Sequence, residues 1–86
     1  MSFDDFHRGA YDGGALPMYT IYRSPKDHPG KFVVRAWVVG GKGGPVPTPE
    51  MYVEETLEAA RAHVPVGLYC MPREDADAAV IVETWL

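Results

Sequence analysis

The chain has 86 residues and a mass of 9.5 kDa, which is enough for one domain and too little for a second. Its 47% hydrophobic and 23% charged residues are typical of a globular protein and argue against wholesale disorder. The net charge of −4 argues against a nucleic-acid-binding protein, because such proteins neutralise phosphates with basic side chains.

The cysteine content and the N-terminal composition narrow the cellular setting. Cys70 is the single cysteine, so the chain forms no internal disulfide. It lies in an apolar strand pattern, which favours a buried, inert thiol over a nucleophile. The N-terminal segment is acidic where a signal peptide needs basic residues, and no apolar run approaches the roughly 18 residues of a membrane span. We therefore expect a cytoplasmic protein with no membrane partner.

The first fifteen residues mix aspartate and glycine and show no hydrophobic period. Segments of this composition at a chain end are seldom ordered unless the fold ties them down. The sequence therefore predicts a mobile N-terminal tail over residues 1–15 and a single α+β domain over residues 16–86.

Two β-branched and aromatic segments follow, and they predict an antiparallel hairpin. Residues 18–23 form the first strand, and residues 32–39 (FVVRAWVV) are the strongest strand candidate in the chain. Residues 24–31 between them contain Pro25, Pro29 and Gly30, which are typical of a turn.

Residues 40–49 (GGKGGPVPTP) are a glycine segment followed by alternate prolines. Glycine-rich chain is flexible and proline-rich chain is stiff and extended, so we predict a connector here. The glycines resemble a phosphate-binding loop only superficially, because such a loop continues from Gly-Lys-Ser/Thr into a helix and this one continues into prolines.

A helix is predicted after the connector, and its start has two alternatives. The apolar residues of its inner face are Val53, Leu57, Ala60 and Val64. A start at Glu50 gives a helix over residues 50–64. A start at Leu57, capped by Thr56, gives a helix over residues 57–63 after an extended segment. The shorter helix is favoured because Tyr52-Val53 prefers extended structure.

Residues 68–72 and 79–86 are two further strand segments, joined by an acidic loop over residues 73–78. The predicted order of elements is therefore β-β-α-β-β. This order indicates an α+β fold, a four-stranded antiparallel sheet with one helix packed on one face.

The alternation of side chains along a strand assigns the residues to two faces of this sheet. One set is aliphatic and suits packing beneath the helix. The other set combines aromatic, sulfur-containing and charged side chains: Arg35, Trp37, Tyr69, Met71, Glu83 and Trp85. Trp, Tyr, Met and Arg are enriched at interfaces, so this second set is the candidate interaction surface or ligand site.

Three alternatives are open for this aromatic face. The N-terminal tail or the proline connector folds over it, a second copy of the chain packs on it, or it binds a ligand or another protein. In the third case Arg35 and Glu83 are the orienting polar groups. If the second and last strands are neighbours, these two residues also form a cross-strand pair. A homodimer is the favoured interpretation.

The sequence carries no pattern that predicts catalysis. His7, His28 and His63 lie in the tail, the first turn and the helix end, so they form no ligand pair. Residues 26–28 (Lys-Asp-His) are the nearest approach to a metal or general-base cluster, and a turn with solvated side chains explains them better. We predict no catalytic residue, no metal ligand and no cofactor, and an enzyme is not favoured.

Four segments resemble sequences of a known kind. The segments are Met18-Tyr19-Thr20-Ile21-Tyr22, Pro25-x-Asp27-x-Pro29 with Phe32-Val33-Val34-Arg35, Gly67-Leu68-Tyr69, and Val80-Ile81-Val82-Glu83-Thr84-Trp85-Leu86. Over residues 18–86 this pattern resembles a family of short, uncharacterised bacterial proteins. The resemblance implies a bacterial cytoplasmic origin and brings no activity, cofactor or catalytic residue. Residues 1–17 lie outside it.

Taken together, these patterns predict a small, non-enzymatic interaction module that is homodimeric through the aromatic open face of its sheet. Another protein is the alternative partner, and neither nucleic acid nor membrane is expected. The alternative function is a small-molecule-binding protein or enzyme with a site near Arg35 and Glu83.

Overall fold

The computed structural model describes residues 3–40, 44–71 and 80–86. Its elements in chain order are α1 (Asp4–Asp12), β1 (Leu16–Arg23), β2 (Phe32–Val39), β3 (Pro45–Glu54), α2 (Leu57–Arg61), β4 (Cys70–Met71) and β5 (Ile81–Trp85). The predicted α+β class with an antiparallel sheet is confirmed. The predicted count of four strands and one helix is wrong, because the described residues form five strands and two helices.

The five strands lie in the order β3-β2-β1-β5-β4, and all neighbours are antiparallel. The first three strands form a meander, and β5 pairs with the free side of β1. The middle of β1, which carries Tyr19, Thr20 and Ile21, is fully buried. The centre of the sheet is therefore a strand from the first third of the chain.

The turn between β1 and β2 is held by a serine in the left-handed region. Ser24 has φ of 49°, which is unfavourable for a residue with a Cβ. Its hydroxyl accepts a hydrogen bond from the Gly30 N–H at 2.9 Å, and its own N–H donates to the Lys31 carbonyl at 2.7 Å. These bonds offset the unfavourable φ and fix the turn. The predicted first hairpin is confirmed.

The extra strand, β3, contains the prolines that predicted a connector. Pro45 and Pro47 lie opposite Val39 and Trp37 on β2. Proline has no N–H group and cannot donate a hydrogen bond to a neighbouring strand. The backbone nitrogens of Pro45 and Pro47 therefore face the outer edge of the sheet, away from β2. The Thr48 hydroxyl donates to the Ala36 carbonyl at 2.7 Å across a register shift. The connector prediction is wrong from residue 45 onward, and residues 41–43 lie outside the described residues.

Helix α2 begins at Leu57, which confirms the favoured, shorter alternative. The Thr56 hydroxyl caps it by accepting the Ala59 N–H at 3.1 Å. The segment before it is extended because it belongs to β3. Of the described residues in the two later predicted strands, Leu68, Tyr69, Val80 and Leu86 lie outside β4 and β5. Residues 72–79, which include the predicted loop over 73–78, lie outside the described residues.

Helix α1 lies in the segment for which a mobile tail is predicted. Phe3, just before the helix, is 1% exposed, and its ring centroid lies 5.0 Å from Tyr19 and 4.8 Å from Tyr52. Phe3 and Phe6 are three residues apart and share one helical face, which the surrounding Asp and Gly residues obscure in the sequence. The described part of residues 1–15 therefore contributes to the core, while its mobility stays a prediction.

Both helices pack on the same face of the sheet. Phe3 brings α1 against Tyr19 and Tyr52, and His63, just after α2, stacks on Tyr52 at 3.9 Å. The core between sheet and helices also includes Ile21, Val34, Ala36 and Ala60. Among the described residues, no helix is long and apolar enough to cross a membrane.

Candidate functional site

The strand register divides the sheet into a covered face, which contacts the helices, and an open face, which does not. On β2, Arg35 and Trp37 point to the open face, because their neighbours Val34 and Ala36 are in the core. Met71 also lies on the open face, opposite Thr84. Three of the six predicted site residues therefore share the open face.

Glu83 and Trp85 lie on the covered face, contrary to the predicted grouping. They pair with Ile21 and Tyr19, which are core residues. The cross-strand pair of Arg35 and Glu83 is conditional on β2 and β5 being neighbours, and this condition is not met because β1 lies between them. Alternation alone does not fix which set of β5 faces the core, since a one-residue slip exchanges the two sets.

Tyr69, the sixth predicted residue, lies just before β4 at one edge of the sheet. Its backbone exchanges two hydrogen bonds with Leu86, of 2.9 and 3.1 Å. Its side chain is 69% exposed. Since β5 and β1 separate this edge from β2, Tyr69 and Met71 lie away from Arg35 and Trp37.

Glu83 is the centre of a polar cluster that joins α2 to β5. Its carboxylate is 7% exposed and accepts two hydrogen bonds from Arg61, at 2.7 and 2.9 Å, and one from Trp85 Nε1 at 3.1 Å. The Arg61 hydrogen bonds chiefly lower the pKa of Glu83, against the effect of burial. Burial chiefly raises the pKa of Cys70, whose Sγ lies 3.7 Å from the same carboxylate. A protonated thiol is a poor nucleophile.

Two histidines make further polar contacts on the covered face. His7 Nδ1 lies 2.8 Å from the Tyr19 hydroxyl, and His63 Nε2 lies 2.6 Å from Glu54 Oε2. Burial lowers the pKa of His7 and raises that of Tyr19. The sequence places these histidines in a tail and at a helix end, and only the packing of both helices on one face gives them partners.

The open face contains a cleft of about 260 Å³ between the β1–β2 turn and the middle of β2 and β3. Its lining combines aromatic, proline, aliphatic, sulfur-containing and charged side chains: Tyr22, Pro25, Asp27, His28, Val33, Arg35, Trp37, Pro47 and Met51. The turn contributes the side chains of Asp27 and His28, so the predicted Lys-Asp-His turn borders the site. Sequence reasoning missed Tyr22 and Met51. The alternation along residues 18–23 is a signal for Tyr22, whereas Met51 requires knowledge of β3.

Arg35 is the central charged group of this cleft. Its Nη2 lies 3.3 Å from the Met51 sulfur, which is a weak acceptor. Among the described residues, no carboxylate lies within salt-bridge distance of Arg35. Its cross-strand neighbour Thr20 is 4% exposed, although neither α1 nor α2 packs on this face.

Tyr22 and Trp37 place two more hydrogen-bond donors beside Arg35. Burial raises the pKa of the Tyr22 hydroxyl, while the nearby Arg35 charge and the Trp37 indole oppose this effect. The Trp37 Nε1 atom is buried beside the Tyr22 hydroxyl, and among the described residues no acceptor meets full hydrogen-bond geometry with it. The cleft therefore groups a cation, a hydroxyl and an indole N–H around the Met51 thioether, while its carboxylate, Asp27, lies on the exposed turn.

This arrangement has the features of a binding site. Across residues 3–40, 44–71 and 80–86, no group of three or more histidine, cysteine or acidic side chains comes close enough to hold a metal ion. Asp27 is exposed on the turn. The polar groups at the cleft can orient a ligand and compensate its charge.

Comparison with known proteins assigns the chain to no family. No family model matches it, and neither the curated proteins nor the solved structures contain a significant match. The resemblance to short bacterial proteins over residues 18–86 stays a prediction.

Proposed function

We propose that this protein is a small, non-enzymatic binding module that holds a small anionic molecule in the cleft on the open face of its sheet. One observation carries the proposal: both helices pack on the covered face, and the face left open presents a cleft whose central charge, Arg35, has no carboxylate partner among the described residues. A half-buried cation in an apolar setting favours an anion, because desolvation strengthens the attraction.

The size of the cleft favours a small ligand. Small-molecule sites enclose about 300–1,000 Å³, and this cleft, at about 260 Å³, lies just below that range. It therefore suits a metabolite of few atoms or a single side chain of a larger partner. Its wall of Trp37, Pro47 and Met51 supplies apolar contact, and Arg35 supplies orientation.

A fragment screen by two-dimensional 1H–15N NMR of the full chain tests this function. We expect fragments to shift amide signals of the β1–β2 turn, β2 and β3, and to leave α1 and α2 unchanged. The two indole N–H signals provide an internal comparison, because Trp37 lines the cleft and Trp85 lies on the covered face. Saturable shifts confined to the covered face, or none from acids, amines and neutral fragments alike, would contradict the proposal.

A homodimer through the same open face is the second candidate, and the sheet edges favour it over pairing by strand addition. One edge strand, β3, carries Pro45 and Pro47, and the other, β4, has two residues. Such edges pair poorly with another chain. Across a twofold axis, Arg35 and Asp27 of one copy can meet Asp27 and Arg35 of the other, which makes the face self-complementary in charge.

Size-exclusion chromatography with light scattering distinguishes the two candidates. A homodimer predicts about twice the 9.5 kDa chain mass at high micromolar concentration, and a return to the monomer in Arg35→Glu. Arg23→Glu is the matched control, because Arg23 lies on β1 at the opposite face over the Phe32 ring. A monomeric mass at all concentrations eliminates the dimer and leaves the ligand-binding module.

A further inference from the structure

The half-buried part of the cleft groups hydrogen-bond donors, whereas its carboxylate, Asp27, lies on the exposed turn, and this grouping indicates the chemistry of the ligand. The Arg35 guanidinium, the Tyr22 hydroxyl and the Trp37 indole N–H lie together on neighbouring strands β1 and β2. Arg35 donates to the Met51 sulfur, which lies 3.3 Å from its Nη2 atom. Polar groups that lose water without a partner are costly, so a ligand that supplies acceptors gains binding energy here.

The apolar walls specify the rest of the ligand. Trp37, Pro47, Met51, Pro25 and Val33 surround the donors with aromatic, ring and thioether surface. A planar or aromatic body stacks on an indole and packs well against a thioether. Inorganic anions such as phosphate offer no such surface, and the volume of about 260 Å³ limits the body to about one ring with a short chain.

The charged side chains of the cleft, Arg35 and Asp27, indicate whether the ligand is an acid or an amine. Asp27 also lines the cleft, but its side chain lies on the turn and is exposed to solvent, where screening weakens its attraction for a cation. Arg35 lies in the middle of β2 and is half-buried, so its field is stronger at the cleft floor. The balance therefore favours a negative group at the Arg35 end.

We propose that the cleft binds a small organic carboxylate with an aromatic or apolar body, in which the carboxylate lies against Arg35 and Tyr22 and the body packs on Trp37 and Met51. This inference rests on the proposed function, because it assumes that the open-face cleft is the binding site. It adds the ligand's functional group and the roles of the residues. Guanidinium groups bind carboxylates in a bidentate manner, which gives Arg35 the orienting role and the tyrosine hydroxyl an additional bond.

The test compares four probes that separate charge from shape. 3-Phenylpropionate carries the ring and the carboxylate, 3-phenylpropionamide is its neutral isostere, 3-phenylpropylamine reverses the charge, and acetate lacks the ring. Each is titrated into the full chain and followed through the Trp37 indole N–H signal, with the Trp85 signal as the internal reference. We expect 3-phenylpropionate to bind about tenfold to a hundredfold more tightly than the amide, which corresponds to a charged hydrogen bond.

Three variants locate the preference in the structure. Arg35→Met keeps a long side chain and removes the charge, so the ratio of carboxylate to amide affinity should fall to about one. Arg23→Met removes an arginine from the opposite face and should leave the ratio unchanged. Tyr22→Phe should weaken the carboxylate about threefold to tenfold, through the loss of one hydrogen bond. If Arg35→Met does not fold, the ratio in the unmodified protein decides the matter.

The outcomes separate the inference from the function on which it rests. If the amide or the amine binds in the cleft as tightly as the carboxylate, the carboxylate assignment is wrong and the binding module stands. If acetate binds as well as 3-phenylpropionate, the assignment of an aromatic or apolar body to the ligand is wrong. If none of the four probes shifts the Trp37 signal, the inference is overturned, and the wider fragment screen then decides whether the cleft binds anything.

Discussion

The polar side chains on the two faces of the sheet differ in their hydrogen bonding. On the covered face, Glu83 accepts three hydrogen bonds from Arg61 and Trp85, and His7 meets the Tyr19 hydroxyl. On the open face, Arg35 has a thioether as its partner and the Trp37 N–H has none among the described residues. The polar groups of the covered face are therefore hydrogen-bonded within the fold, whereas those of the open face have weak partners or none among the described residues.

The largest expected effect on stability comes from the aromatic side chain that joins α1 to the covered face. Phe3→Ala should lower the free energy of unfolding by about 3–5 kcal/mol, because it removes a buried ring between Tyr19 and Tyr52. Chemical denaturation followed by circular dichroism measures the change. This loss is a large share of the roughly 4–13 kcal/mol expected for a chain of this length.

Tyr11→Ala is the matched control for this prediction, because Tyr11 lies on the same helix and is 51% exposed. Tyr11→Ala should lower the free energy of unfolding much less than Phe3→Ala does. Equal stability of Phe3→Ala and the unmodified protein would instead support a mobile tail over residues 1–15. It would also contradict the packing of α1 on the covered face.

The second prediction concerns the arginine that pairs with Glu83. Arg61→Met leaves a carboxylate that is 7% exposed without its main partner, so we expect a loss of about 1–3 kcal/mol, toward the lower end because Arg61 itself is 46% exposed. Its pH dependence gives an independent check. The pKa of Glu83 is lowered in the fold, so its contribution is complete above the ordinary carboxyl value of 4.5 and is lost as the pH falls below it.

Denaturation of both proteins between pH 7 and pH 3 measures this effect. The unmodified protein should lose more stability over the acid range than Arg61→Met, because the variant no longer has the stabilised carboxylate. An identical acid dependence would show that Arg61 does not stabilise the charge of Glu83.

The third and smaller prediction concerns His7. Burial lowers its pKa below the ordinary 6.5, so the folded state favours the neutral ring and binds fewer protons than the unfolded state. The stability that this histidine contributes is therefore complete above about pH 6.5 and is lost as the pH falls through the lowered folded pKa. Asp4 opposes the shift through its charge, and Tyr19 and Tyr11 contact the ring.

The measurement is the change in unfolding free energy between pH 7.5 and pH 5.5, in the unmodified protein and in His7→Gln. The unmodified protein should lose more stability than the variant over this interval. Since His63 and His28 remain in both proteins, the difference between them reports on His7. A larger loss in His7→Gln would reverse the assigned direction.

The smallest expected effect on stability concerns Arg35 on the open face. Arg35→Met should change the free energy of unfolding by no more than about 0.5 kcal/mol, because Arg35 has no ion pair to lose among the described residues. The same substitution at Arg61 costs more, although Arg61 is also partly exposed. If Arg35→Met is the more destabilising of the two, the open face has a structural role and the contrast between the faces disappears.

The amino-acid sequence predicts the antiparallel α+β class, the first hairpin and the Thr56 cap, because these depend on local alternation, turn residues and capping. It misses β3, since alternate prolines are typical of a connector and become compatible with a strand at a sheet edge. It also assigns Glu83 and Trp85 to the wrong face, because pairing of β5 with β1 is a long-range choice. Arg35 and Trp37 are assigned to the correct face, since the alternation of β2 is continuous and its aliphatic set is unambiguous.

The strand order has a consequence for folding kinetics. The meander of β1, β2 and β3 joins neighbours in sequence, whereas β5 reaches β1 only when opposite ends of the chain meet. Closing a long segment costs entropy before its contacts compensate for it, so the meander should form first and β5 should dock late. The Arg61–Glu83 pair is then absent from the folding transition state, and Arg61→Met should accelerate unfolding while leaving the folding rate nearly unchanged.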